Sequence, residues 1–277
     1  MALCMNDTSG KNITWEEAVL WLKGQPDQAE LVRSCFFDDP LIDAAERYYR
    51  STEWQAVRSL LPKPDGKALD LGAGRGISSY ALAKDGWKTT ALEPDKSDIV
   101  GAGAIRSIAK EAGLNITVKE TWGEKLPFKD GTFNCVHGRQ VLHHAKDLRK
   151  FCSEVNRVLN TGGVFIATRE HVISRREDLE IFLEKHPLHR LYGGENAYLL
   201  DEYISAIQDS GIKLTHILNP FQSDINLFPE TIETLKALAS GRVRFPFPKL
   251  IPDFLFGLLG NLFNAPGRLY TFVGRKN

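Results

Sequence analysis

Cysteine is scarce in this chain of 277 residues: Cys4, Cys35, Cys135 and Cys152 stand apart, with no C-x-x-C pair among them. That spacing excludes a disulfide framework and fits a reduced, cytoplasmic setting. An excess of one charge is also lacking. Lys plus Arg and Asp plus Glu each total 35, a formal net charge of zero, which argues against a nucleic acid held mainly through its phosphates. No run approaches the ~20 apolar residues of a transmembrane helix, and Met1 to Ile13 carries no apolar leader core. Internal repeats and low-complexity linkers are missing as well. What remains is ordinary for a globular protein: 43% hydrophobic and 25% charged residues, in a length suited to one or two domains with a full core.

The stretch Lys67 to Ser78 organises the rest. An apolar run ending in an acid, Ala68-Leu69-Asp70-Leu71, gives way to Gly72, Gly74 and Gly76 and then to a helical pattern from Ile77. Strand, tight turn and helix of this kind hold a polar ligand against main chain, because glycine reaches φ > 0 and the helix start offers unpaired N–H groups. The dinucleotide fingerprint G-x-G-x-x-G needs a third glycine where Ile77 stands, so a nicotinamide-dependent oxidoreductase is the weaker reading. The next strand, Lys88 to Leu92, ends in Glu93-Pro94-Asp95, about 20 residues past the turn, where a carboxylate accepts both ribose hydroxyls of a nucleoside cofactor. Glu93 is the expected ribose acceptor.

Asp70-Leu-Gly-Ala-Gly-Arg-Gly76 resembles motif I of the class I S-adenosylmethionine-dependent methyltransferases, and within them the small-molecule, type 11-like group. Further segments follow in that family's order. Leu126-Pro-Phe128 with Asp130, Phe133 and Val136 is similar to its adenine-framing run; Leu142-His-His144 with Asp147 to the segment after strand four; Arg157-Val-Leu-Asn-Thr-Gly-Gly163 to the turn before strand five. The resemblance implies an S-adenosylmethionine cofactor, S-adenosylhomocysteine as product, and a loop of Asp70, Gly72, Ala73, Gly74 and Gly76 under the methionine end and ribose. Glu93 and Pro94 would serve the ribose, and the backbone near Gly138 and Arg139 the amino acid end. Trp122 replaces the family's usual acid, so it would stack on adenine beside the Gly123 backbone, with Glu124 either taking the amino group or standing as a solvated turn acid.

The fold implied is an α/β, Rossmann-like, doubly wound, seven-stranded and mostly parallel sheet. Its order would be 3-2-1-4-5-7-6, with the last strand antiparallel. Strands are expected at 67–71, 88–92, 116–119, 133–138, 163–168, 212–217 and 269–273, and helices at 77–85, 97–112, 147–159 and 200–210. Residues 1–62 read as a helical cap, with Thr14 and Glu17 forming a capping box, and 63–277 as the methyltransferase domain. The resemblance makes Tyr48 and Tyr49 candidate substrate-lid residues; packing of the cap onto the sheet is the competing reading. An apolar helical insertion at about 220–266 reads as core or a pocket lid in preference to an interfacial membrane element at 250–263.

For chemistry, strand five delivers Thr168-Arg169-Glu170-His171. His171 is the expected base, oriented by Glu170, because imidazole titrates near neutrality; His144 is expected to face the cofactor. The alternative is an exposed Arg169–Glu170 ion pair of little worth. Arg169, Tyr192, Glu195, Asn196 and Tyr198 are substrate candidates on loops over the strand ends. No metal is expected, since adjacent histidines diverge and no H-x-x-x-H or cysteine partner stands near. A non-catalytic cofactor-binding scaffold or a membrane-surface protein remains the alternative to an enzyme, and neither acceptor nor oligomeric state can be read from the sequence.

Overall fold

The computed structural model describes residues 13–244 and 246–277; the leader expectation for Met1 to Ile13 and Cys4 fall wholly or mostly outside them. Four cap helices come first: α1 (Trp15–Lys23), α2 (Ala29–Ser34), α3 (Leu41–Arg50) and α4 (Thr52–Leu60). The capping box forms as read, with Thr14 Oγ1 accepting from Glu17 N at 3.2 Å and Glu17 Oε2 from Thr14 N at 2.7 Å. Then β1 (Lys67–Leu71), α5 (Ile77–Asp85), β2 (Lys88–Leu92), α6 (Ala102–Glu111), β3 (Ile116–Lys119), β4 (Phe133–Arg139) and α7 (Leu148–Val158) alternate. The chain continues with β5 (Leu159–Ile173), α8 (Asp178–Lys185), α9 (His189–Tyr192), β6 (Tyr198–Leu199), α10 (Leu200–Asp209) and β7 (Ile212–Leu218). It closes with α11 (Asp224–Leu227), α12 (Ile232–Val243), α13 (Asp253–Leu262) and β8 (Arg268–Lys276).

The sheet order is β3-β2-β1-β4-β5-β8-β7, with the two-residue β6 pairing the far end of β5. Apart from that extra short strand it is the expected order, and β8 is the antiparallel one. Apolar residues alternate across the sheet as a period of two demands. Leu69, Leu71, Val136 and Phe165 face α7 and α10, while Ala68, Cys135, Val164 and Ile166 face α5 and the cap residues Phe36, Tyr48 and Trp54.

Strand β5 departs from expectation in length and in phase. It runs to Ile173, beyond the last β4 pair at Arg139 and Thr168, and its register with β8 shifts between Ala167 and Glu170. Arg169 stands at φ 59°, the left-handed geometry of a bulge. Unbroken alternation would put Glu170 on the cap face with Ile166 and Thr168; the bulge instead aligns Val172 with Phe165 and Ala167 on the α7 face. Arg169 and Glu170 therefore serve different clusters.

Helix α13 corrects the expected burial of the late insertion. Phe256, Gly257 and Gly260 face inward, but Phe254, Leu255, Leu258, Leu259 and Leu262 are exposed, Leu262 by 77%. Asn219 fixes the inner side by donating to Gly257 O at 2.7 Å, and Lys236 pairs with Asp253 at 2.6 Å. Among the described residues no helix is long and apolar enough to cross a membrane.

Candidate functional site

At the carboxyl end of β1 the backbone turns through Gly72 (φ 56°) and Gly74 (φ 52°) into α5. A Cβ on Gly72 would collide with Val141, whereas one on Gly74 would meet no atom within 4 Å. Gly72 is thus required for close packing, and Gly74 borders open space on its Cβ side. Arg75 pins the turn from behind, donating to Ile99 O and Phe36 O at 3.0 Å and to Asp38 O at 3.1 Å, and pairing with Asp39.

Glu93 caps β2 facing this turn. Oε2 accepts from Gly74 N at 2.7 Å and Oε1 from Asp95 N at 2.9 Å, and the side chain is buried. Burial pushes its carboxyl up to about 7, against the two N–H groups that hold it down; Asp95 and Asp70 push the same way as burial. Among the described residues no cation pairs with it. The fixed carboxylate retains acceptor positions suited to a pair of hydroxyls.

Asp70 has a different role from the expected one. Its Oδ1 is 2.9 Å from His137 Nδ1 and its Oδ2 accepts from Ser79 Oγ at 2.6 Å, so it ties β1 to β4 and α5 instead of facing the cleft. Gly123 is required because a Cβ there would strike the Phe151 ring. That places the backbone beside Trp122, whose side chain is 69% exposed, and Glu124, which accepts from Lys146 N at 3.2 Å. Arg157 staples the same loop by donating to Phe128 O at 2.7 Å and Leu126 O at 2.9 Å, the architectural part read for its segment.

The cap side is filled. Tyr48 is fully buried, with ring centroids 5.2 Å from Phe36 and 5.6 Å from Trp54, and Tyr49 lies edge-on to Tyr80 with Arg58 and Lys84 against it. Both are packing residues, not lid residues. Beneath them Glu53 takes a two-pronged bond from Arg139 (2.6 and 3.0 Å) with Arg169 Nη1 3.9 Å away. Arg169 Nη1 donates to Ile225 O (2.7 Å) and Phe228 O (3.1 Å), while its buried Nε has no partner among the described residues. It is therefore not an exposed partner of Glu170, and the Arg139 side chain is committed to Glu53.

On the other face Glu170 is fully buried and accepts from the N–H groups of Val141 (3.0 Å), Leu142 and His143 (both 3.1 Å). His143 Nδ1 donates to the same carboxylate at 2.7 Å, and its Nε2 lies 3.5 Å from Glu195 Oε2. Burial would raise Glu170, but His143 and the backbone donors hold it below the usual carboxylate range; burial would lower His143, but the two carboxylates raise it.

His171 does not fit the part of base. Its Nδ1 donates to Gly267 O at 2.9 Å, and burial, with His143 beside it, lowers its pKa to about 3. An imidazole that holds a proton so weakly takes none up near neutrality. Nor does Glu170 orient it, since that carboxylate is spent on His143. His144 is 41% exposed in its side chain, with Nδ1 donating to Gly194 O at 3.0 Å and Nε2 3.9 Å from Glu195.

Glu195 is thus drawn to the histidines, as a residue whose role no local spacing in the sequence reveals. Tyr198 donates to Ala145 O and has Asn196 against its hydroxyl, fastening this loop to the turn after β4. Tyr192 packs on Trp15 of α1, 5.6 Å between centroids.

A family profile described as a methyltransferase domain matches residues 69–167. The chain is 34% identical over 134 residues, 47% of its length and 46% of the relative's, to a sarcosine/dimethylglycine N-methyltransferase of Halorhodospira halochloris. It is 26% identical over 179 residues, 61% of its length and 69% of the relative's, to a ubiquinone biosynthesis O-methyltransferase of Rhizobium leguminosarum bv. trifolii. Several curated relatives are matched over less than half of their own length. Among solved structures, geranyl diphosphate C-methyltransferase of Streptomyces coelicolor, in complex with Mg2+, geranyl diphosphate and S-adenosyl-L-homocysteine, superposes with a TM-score of 0.60 at 14% identity, over 87% of this chain and 85% of that one.

Proposed function

We propose that this chain, whose residues 69–167 are a methyltransferase domain and whose fold is that of the class I S-adenosylmethionine-dependent methyltransferases, transfers a methyl group from S-adenosylmethionine to an oxygen or nitrogen atom of a small-molecule acceptor. The observation that carries the reading is Glu93: a buried carboxylate paired with no cation among the described residues, fixed by Gly74 N and Asp95 N beside the open space at Gly74. Two ribose hydroxyls would donate to it and relieve its desolvation. The bound cofactor supplies a methyl group already activated by its sulfonium.

The chain's own residues bind, orient and exclude water. The Gly74 backbone leaves room for the ligand, the exposed Trp122 face offers a platform for the adenine ring, and the Gly138 turn borders the amino acid end. Acceptor positioning falls to the loop of Glu195 and Asn196 and to His144, which carry polar groups suited to a hydroxylated or amine metabolite, sugars included. Relatives named for nitrogen and oxygen acceptors, and a neighbour named for a carbon acceptor, share the sheet. The acceptor therefore follows from loops outside the shared sheet, such as those past β5. Cys35, Cys135 and Cys152 are free thiols, which supports a reducing compartment such as the cytoplasm.

The exposed apolar face of α13, with Arg242, Arg244 and Lys249 exposed before it, supports a second partner: an anionic lipid surface on which the enzyme rests.

Calorimetric titration with S-adenosylmethionine and with NADH tests the main reading. Saturable binding of the former alone is expected, lost in Gly74→Arg, whose side chain fills the ligand space while circular dichroism is retained. Binding of NADH alone, or undiminished affinity in the variant, would overturn it; cofactor binding without turnover across an acceptor screen would leave the scaffold reading.

A further inference from the structure

Three imidazoles and a carboxylate converge past the ends of β4 and β5, and each imidazole is oriented in the same way. His143 Nδ1 is committed to Glu170, His171 Nδ1 to Gly267 O and His144 Nδ1 to Gly194 O. None of these acceptors carries a hydrogen to give back, so in the neutral tautomers the proton sits on Nδ1 and the lone pair on Nε2. His143 Nε2 and His144 Nε2 stand 3.5 and 3.9 Å from Glu195 Oε2, too long for strong hydrogen bonds. The donor atoms of His143, His171 and Glu195 all lie within 4.8 Å of one another. Donors around an ion bound at 2.0–2.1 Å stand roughly 3–3.5 Å apart, so a contraction of about 1.3–1.8 Å at the widest pair would close the set.

We propose that His143, His171 and Glu195 form a binding site for one divalent transition-metal ion, of the zinc or ferrous class. Two imidazoles and one carboxylate are a donor set shared by catalytic zinc sites and by non-haem iron sites, both of which keep coordination positions open. Glu170 is the positioning residue. A carboxylate that accepts the far N–H of a ligating histidine fixes its ring and raises its basicity, and three backbone N–H groups hold that carboxylate in place. The Gly267 carbonyl does the same for His171. Glu195 arrives on a loop entered through Gly193 and Gly194, both at φ 78°, which can shift without disturbing the sheet. No metal-ligand spacing exists in the sequence because the donors come from the turn after β4, the bulged extension of β5 and the loop before β6. The proposal stands whether or not methyl transfer is the reaction.

The test uses the full chain stripped with a chelator and dialysed, then titrated with Co2+ by visible absorption and with Zn2+ in competition. One equivalent is expected, with the ligand-field band of a nitrogen–oxygen site. Glu195→Gln, placed on a loop and not in the core, should weaken binding by a factor of about 100 or more. Glu170→Gln should weaken it about 10- to 100-fold, the range for a second-layer partner. His171→Ala is a further variant, checked by circular dichroism and by calorimetry with S-adenosylmethionine, so that a damaged fold is recognised. Failure of the wild type to bind either ion stoichiometrically, or undiminished binding in both Glu195→Gln and His171→Ala, would overturn the site and leave a proton on His143 as the bridge between Glu170 and Glu195.

Discussion

Glu93 carries opposite consequences for the free and the bound protein. Its carboxyl, raised to about 7 from an ordinary 4.5, is protonated more readily in the folded chain than in the unfolded one. Stability of the ligand-free protein therefore declines as pH rises from about 4.5 through 7, by roughly 3 kcal/mol from this one group. Ligand binding runs the other way, since hydroxyls donate to the ionised form. Affinity for S-adenosylmethionine is expected to climb up to about tenfold per pH unit below 7 and to level off above it, with proton release below 7. Calorimetry at pH 6 and 8, in buffers of different ionisation heat, measures both slopes; a flat profile would show that Glu93 is not the ribose acceptor. Legibility at this scale followed from locality. Glu93 and Gly74 can be found from a strand, a turn and a spacing. Asp70 and Arg169 were misread because their partners, His137 and Ser79 for one and Ile225 and Phe228 for the other, are set by tertiary packing.

At the scale of elements, the core strands were readable because each is buried on both faces and bounded by turn residues. The phase of β5 was not, because a bulge centred on an arginine leaves no glycine in the sequence to mark it. Helix α13 was half readable: its apolar period is plain, but a period does not say whether solvent, lipid or sheet faces it. Its exposed leucines separate stability from association. Leu258→Asp with Leu262→Asp should change stability by no more than about 0.5 kcal/mol per site, because neither side chain is buried. The same variant should lose flotation with anionic vesicles. Equal flotation of both proteins would remove the lipid surface as partner, and a large drop in the melting temperature would mean that the face is covered in solution.

Over the whole molecule, the cap and the sheet share one apolar cluster, in which Phe36, Tyr48 and Trp54 pack with Ala68, Ile77 and Ile166. The helical pattern and the resemblance set 1–62 apart from 63–277 in the sequence, yet this cluster spans the two. Arg75 is one polar link across that boundary, beside the Glu53–Arg139 pair: its guanidinium spans the cap loop at 36–39, the glycine turn and the segment at Ile99. A ligand resting on Gly74 stiffens a residue next to that rivet without touching the cap. Occupancy should therefore slow amide hydrogen exchange at 36–39 as well as at 72–76, by comparable factors, when free and cofactor-saturated protein are compared by mass spectrometry. Protection confined to 72–76 would mean that the cap breathes independently. Protection of both would give the cap a memory of the cofactor, so that an acceptor meets a protein already informed of whether its methyl donor is present.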